Sequence, residues 1–245
     1  NLFAAGKLIV AQRRIDSLTV VDSPNLPFHA SLLERVKELS VRDIQVSWGE
    51  SFMKPVSFTA TPGSVVVLRG ASGVAKSTLA MGLLGALSYR GSATINGCEI
   101  SSISNLSHVM AGSLQQGHIF NTSIRENLKI ADQASPDAVL LRILEIVELS
   151  HLSLDTVVGE FGRPLSGGEA KRLGLARALL STAPILILDE ATNALDEVSE
   201  LGILSLIKSL RWETTILLAS HNPNSLEIAD NVIEISGSSA HFKKA

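Results

Sequence analysis

The segment Arg69-Gly70-Ala71-Ser72-Gly73-Val74-Ala75-Lys76-Ser77-Thr78 places small residues ahead of a lysine and two hydroxyls, a pattern suited to holding phosphate. Small side chains let backbone N–H groups converge on phosphate oxygens. A helix starting at the lysine would add its positive end. At that helix start the Lys76 ammonium reaches β- and γ-phosphates, and the Ser77 hydroxyl joins the coordination of Mg²⁺. The pattern G-x-x-x-x-G-K-[ST] asks for glycine where Ala75 stands. Alanine costs little there if the position keeps right-handed helical angles. It costs about 1 kcal/mol or more if φ is positive.

A second constellation lies at Ile185-Leu186-Ile187-Leu188-Asp189-Glu190, an apolar strand ending in two carboxylates. The carboxyl edge of a parallel strand is where an α/β sheet places ligand chemistry. One acid there can help hold Mg²⁺ while the next orients and deprotonates a water. Upstream, Leu165-Ser166-Gly167-Gly168-Glu169 enters a helix and offers a hydroxyl, two glycine amides and a helix N-terminus, which together form another anion cradle.

The surrounding elements must position these groups. Ser64-Val65-Val66-Val67-Leu68 reads as a strand delivering the first loop, and Ser77 to Leu87 reads as the helix after it. Alternation at Ile44, Val46 and Trp48, and at Val56, Phe58 and Ala60, predicts two further strands. Asn96-Gly97 predicts a hairpin between Ala93-Thr94-Ile95 and Cys98-Glu99-Ile100. The middle reads as helical, with a capping box at Ser123 and Glu126 and a helix opened by Ser135-Pro136. The last third alternates helices over 169–180 and 198–210 with apolar strands at 185–188, 214–219 and 232–235, which implies a mostly parallel sheet.

With 245 residues, 45% of them hydrophobic, the chain can bury a sizeable core. Its formal charge of −3 argues against a broad basic surface, so no nucleic-acid partner is expected. The single Cys98 excludes an internal disulfide framework and any multi-cysteine metal site. No apolar run approaches the roughly 20 residues of a membrane helix, and the chain as given is expected to be soluble. Ala4, Leu8, Ala11, Ile15 and Leu18 form an amphipathic stripe. It is either the tail of a longer chain or an ordinary helix on its own domain. Prolines 24 and 27 then mark a linker, and Ser31 with Glu34 forms a further capping box.

Taken in order, these motifs resemble the ATP-binding cassette (ABC) transporter family from about Val41 onward. Gly70 to Ser77 is similar to the family's Walker A loop, Leu165 to Glu169 to its signature, and 185–190 to its Walker B strand. Asn193-Ala194-Leu195-Asp196 resembles the D-loop, His221 the switch histidine, and Gln115 the Q-loop glutamine, with Gln116 the neighbouring alternative. Trp48 stands where the family has an aromatic ring for adenine, although a core tryptophan suits the same alternation. Val158-Gly159-Glu160 resembles the exporter X-loop, and Phe120 to Asn127 resembles the exporter pattern after the Q-loop. Parts of the sequence also resemble bacterial exporters of small thiols needed for cytochrome assembly.

The resemblance implies an α/β fold: a P-loop NTPase core with a mostly parallel sheet, an N-terminal antiparallel β subdomain, and a helical subdomain over about 121–168 carrying the signature. Residues 1–37 would be the cytoplasmic extension of a membrane helix plus a linker, and 38–245 the nucleotide-binding domain. It implies ATP and Mg²⁺ as ligands, with Glu190, His221, Gln115 and Lys76 in catalysis. Trp48, residues 70–78 (Gly70, Ala71, Ser72, Gly73, Val74, Ala75, Lys76, Ser77 and Thr78), and Ser166, Gly167, Gly168 and Glu169 would bind nucleotide. Ser77, Gln115 and Asp189 would serve the metal. The implied partners are a second nucleotide-binding domain and a transmembrane domain, the latter expected on the same polypeptide, at the cytoplasmic face of a membrane. Two other expectations stand beside this one: a degenerate regulatory half of a heterodimer, favoured by Ala75, and a soluble family member.

Overall fold

The computed structural model describes residues 36, 38–48, 51–71, 73, 75–114, 118–193, 195–210, 214–235 and 240–244. The amphipathic stripe, the linker and the Ser31 capping box lie outside these residues. The chain forms two compact units. The described residues of one fall within 36–114, 183–190 and 210–244, and those of the other within 118–182 and 191–209.

The first unit contains two sheets. In the antiparallel one, β1 (Leu39–Trp48) is the long central strand. It pairs with β2 (Ser51–Phe52), β3 (Val56–Ala60) and β5 (Tyr89–Ile95), and β5 continues to β6 (Cys98–Glu99). The hairpin at Asn96-Gly97 has the expected register, Ile95 opposite Cys98. Burial alternates along β3, the half-buried pattern its sequence predicts.

The second sheet has the order β11-β10-β4-β9-β8-β7. Strands β4 (Val65–Arg69), β7 (Met110–Ser113), β8 (Ile185–Asp189), β9 (Thr215–Ala219) and β10 (Asn231–Ile235) are parallel, and β11 (Ala240–Lys244) adds antiparallel to β10. The middle strands β8 and β9 are buried at every residue, which explains their apolar runs over 185–188 and 216–219. Helix α1 (Lys76–Leu83) packs on β1 and β8. One core joins its Leu79 and Leu83 with Val41, Ile44, Val66, Leu68, Ile187 and Leu217.

Helix α1 is shorter than its sequence suggests. Gly85 adopts φ +76°, and Gly85 and Ala86 donate their N–H groups to the carbonyls of Gly82 and Met81. This left-handed cap ends the helix four residues before Leu87, because the closing bonds require a conformation that L side chains disfavour.

The second unit is helical: α2 (Ile124–Lys129), α3 (Asp137–Ile146), α4 (Gly167–Leu180) and α5, Glu197–Leu210, of which Glu197 to Ser209 belongs to it. Helices α2, α3 and α4 pack on one another, burying Leu128, Leu140, Ile143 and Leu144. Ser123 caps α2 by accepting the Glu126 N–H, as expected. Ser135 does not cap α3: Pro136 holds that position, and the Ser135 hydroxyl donates instead to Asp132. Among the described residues no helix is long and apolar enough to cross a membrane.

Candidate functional site

Leu68 of β4, Ala219 of β9 and Asp189 of β8 are register partners across neighbouring strands. The loop beginning at Gly70, the Ser220-His221 segment and Glu190 therefore leave the sheet from one carboxyl edge. Two strand spacings, roughly 10 Å, separate the outer pair. That span suits the phosphate end of a nucleotide.

Gly73 has φ +83° and Ala75 φ +70°. The alanine thus occupies the left-handed region, the costly branch of the expectation. Its side chain packs against the core, which offsets part of that cost. Helix α1 begins immediately after it with no side-chain cap and no acid in its first turn, leaving its positive end suited to an anion. The Lys76 side chain is buried, and its Nζ donates to the carbonyls of Gly70 at 2.7 Å and Ala71 at 3.0 Å. Ser77 is half-buried at the helix start and Thr78 is buried behind it. Ser72 and Val74 lie outside the described residues.

Asp189, at 1% exposure, ends β8. Glu190 follows with φ +49°, and its N–H continues the β9 ladder by donating to Ala219 at 2.9 Å. Left-handed angles at a non-glycine cost of order 1 kcal/mol, and this turn aims the carboxylate off the strand end. The Glu190 Oε1 lies 3.7 Å from Nδ1 of the exposed His221 ring. Ser220 holds that segment by donating its N–H to Leu68 and accepting from Asn222.

These residues fit Mg²⁺ as well as phosphate. Ser77 sits on a helix packed against β8, and Asp189 supplies one buried carboxylate at that strand's end. Magnesium is typically held by one or two protein oxygens together with phosphates rather than by an all-protein cage. No group of three or more His, Cys, Asp or Glu side chains is placed to hold a metal ion among the described residues.

Two more of the expected positions fall wholly or partly outside the described residues. β7 ends at Ser113, opposite Leu188, and leads towards Gln115, but Gln115 and Gln116 are outside the described residues. Trp48 ends β1 opposite Ser51, with its side chain likewise outside.

The Ser166–Glu169 segment belongs to the helical unit. Ser166 is the N-cap of α4 and its hydroxyl accepts the Glu169 N–H, while the Glu169 carboxylate accepts the Ser166 N–H at 2.8 Å. This is a complete capping box. The other Glu169 oxygen accepts from His151 Nε2 and Arg163 Nη2, each at 2.8 Å. The His151 hydrogen bond, then the Ser166 N–H, and more weakly the Arg163 charge, hold this carboxyl at about 2 against an opposing effect of burial. Gly167 has open space around it.

The 158–160 segment is fastened to the 120–127 stretch by bonds that the sequence did not reveal. Glu160 donates its N–H to Asn121 Oδ1 at 2.6 Å, and Val158 donates to the Thr122 carbonyl at 3.0 Å. Gly159, at φ +101°, lies so close to Asn121 that a Cβ would meet its Oδ1 at 2.2 Å. Asn127 is 0% exposed. Its amide accepts the Phe120 N–H and donates to the carbonyls of Phe120 and Ser123, fixing the 120–123 segment. A buried asparagine inside an otherwise apolar helix face was the available sequence signal. Farther along, the buried Glu200 accepts the Thr192 hydroxyl, and Asp196 accepts the Ser199 N–H at the start of α5.

A strand-loop-helix phosphate site and a carboxylate pair on the same edge of a parallel sheet define a P-loop nucleotide-binding domain. The family model described as ABC transporter matches residues 53–193, and the chain belongs to that family. An ATP-dependent lipid A-core flippase of Haemophilus ducreyi is 38% identical over 196 residues, 76% of this chain and 34% of that protein. The glutathione/L-cysteine transport system ATP-binding/permease protein CydC of Escherichia coli is 34% identical over 241 residues, 93% of this chain and 42% of that protein. A bacterial Atm1-family ABC exporter solved with ATP bound matches with a TM-score of 0.73 at 28% identity, over 89% of this chain and 40% of that one. The chain thus spans between a third and a half of the length of these relatives.

Proposed function

We propose that this chain is the ATP-binding and ATP-hydrolysing domain of an exporter, working as one half of an ATP-closed pair at the cytoplasmic face of a membrane. The observation that carries the reading is the placement of Glu190 and His221 at the same sheet edge as the Lys76 loop. Lys76 exchanges its loop carbonyls for phosphate oxygens. Ser77 and Asp189 would hold Mg²⁺, with Gln115 a further expected ligand, and the ion would supply positive charge to offset that of the phosphates. The Glu190 carboxylate orients an attacking water and takes its proton, and the His221 ring steadies that carboxylate and faces the terminal phosphate. Contacts longer than a hydrogen bond in the free protein tighten when substrate arrives.

In the proposed pair, Ser166, Gly167 and Gly168 of one domain meet the γ-phosphate held by the other. The resulting attraction closes the pair, and hydrolysis, by separating two anions, reopens it. A membrane partner would seat against the X-loop, where Phe161 is 84% exposed and Val157 is also exposed. The lipid A flippase and CydC names point to exporter relatives, and the cargo would be set by that membrane part.

The test is Mg²⁺-dependent ATP turnover over a range of protein concentrations, with Glu190→Gln as the control. Turnover that rises more steeply than concentration and vanishes in the control is expected. Nucleotide binding without turnover above the control would overturn the hydrolytic reading.

A further inference from the structure

Resting on the proposed function, we infer that Arg163, assisted by His151, is a positioning residue for the Ser166–Glu169 anion cradle, acting solely through the Glu169 carboxylate. That carboxylate is buried within the same turn as the Gly167 and Gly168 amides. An uncompensated anion there would repel the phosphate those amides receive. Two side chains meet one Glu169 oxygen, His151 Nε2 and Arg163 Nη2, each at 2.8 Å. Arg163 carries its charge at every working pH. It therefore both neutralises the cradle's own acid and holds the capping box shut.

Arg163 is itself fixed by the loop it closes. Its N–H donates to the Val157 carbonyl at 2.9 Å, and its carbonyl accepts from Gly159 at 3.3 Å. The other side of that loop is fastened to Asn121 and Thr122. A shift of the 157–163 loop would consequently reach the cradle through the Arg163 to Glu169 bond as well as along the short backbone that joins Arg163 to Ser166. Ordinary exposed ion pairs contribute little. This one differs because its acid is buried and its bond is charge-assisted.

Glu169→Gln provides the discriminating background, since the amide oxygen still accepts the Ser166 N–H while its neutrality leaves Arg163 nothing to compensate. The measurement is the ATP concentration that half-saturates association of the chain, followed by light scattering in a Glu190→Gln background that limits hydrolysis. Arg163→Ala is expected to raise that concentration about tenfold, with nucleotide affinity of the dilute monomer unchanged and Arg163→Lys restoring most of the loss. In Glu169→Gln, Arg163→Ala should be silent. An equal effect in both backgrounds, or none in either, overturns the inference. Hydrogen exchange of the Ser166 and Glu169 amides gives an independent readout, expected to quicken with Arg163→Ala only when Glu169 is present. If the parent chain fails to associate with ATP, the exporter reading falls, while the exchange experiment still decides the role of Arg163.

Discussion

The Glu190 carboxylate and the His221 imidazole stand 3.7 Å apart, each just beyond the end of one of two adjacent parallel strands. Glu190→Gln keeps the shape of the side chain but cannot accept a proton. It should lower ATP turnover by about 100-fold or more with nucleotide binding retained. His221→Ala should reduce turnover without abolishing binding. Steady-state assays paired with equilibrium binding check both variants, and a Glu190→Gln enzyme of full activity would remove this carboxylate from the chemistry.

Ala75→Gly should stabilise the fold by up to about 1 kcal/mol, because glycine accepts φ +70° without the strain that alanine bears. The gain is limited by the greater freedom of glycine when unfolded and by loss of the packed methyl. Urea melts measure the stability, and turnover should rise with it. Ala75→Val should move both quantities the other way, since a β-branched residue is least tolerant of left-handed angles.

The Glu169 carboxyl titrates at about 2, below its ordinary 4.5. A group whose folded value is depressed adds stability above its unfolded value and loses it as pH falls through the folded one. The stability advantage of the parent over Glu169→Gln should therefore be constant above about pH 5 and shrink progressively towards pH 2. Urea melts across that range test it, and an advantage that grows on acidification would contradict the capping arrangement.

Asn127→Ala strips hydrogen bonds from the Phe120 and Ser123 backbone in a fully buried setting, and should cost about 2–4 kcal/mol. Asn127→Asp should cost at least as much, because it replaces the amide donor with a buried charge facing carbonyls. Thermal or urea unfolding reads both.

How much of this was written in the sequence depends on whether the information is contiguous. The apolar strands β4, β8 and β9 announce themselves because β8 and β9 are buried throughout and β4 at every residue but Arg69, and the mostly parallel sheet follows from their alternation with helices. β7 carries no such signal, since Met110-Ala111-Gly112-Ser113 holds no β-branched residue, and it is a strand through pairing with β8. The phosphate loop and the Asp189-Glu190 pair were legible because their chemistry is carried by neighbouring residues. The backbone angle of Ala75 was not, as the same letters suit either sign of φ. Arg163 and His151 were invisible for a different reason: they reach Glu169 from six and eighteen residues away without any periodic relation to it.

The Lys76 ammonium, bonded to the carbonyls of Gly70 and Ala71, bears on the thermodynamics of nucleotide capture. A lysine side chain has about 2 kcal/mol of rotamer entropy to lose. Here folding has already taken most of it, so an incoming triphosphate does not have to order a wandering cation. What it must do is displace two neutral dipoles with stronger, charged acceptors. Capture through this lysine should therefore discriminate steeply between highly charged polyphosphates and weaker anions, which gain too little to release the loop's own grip.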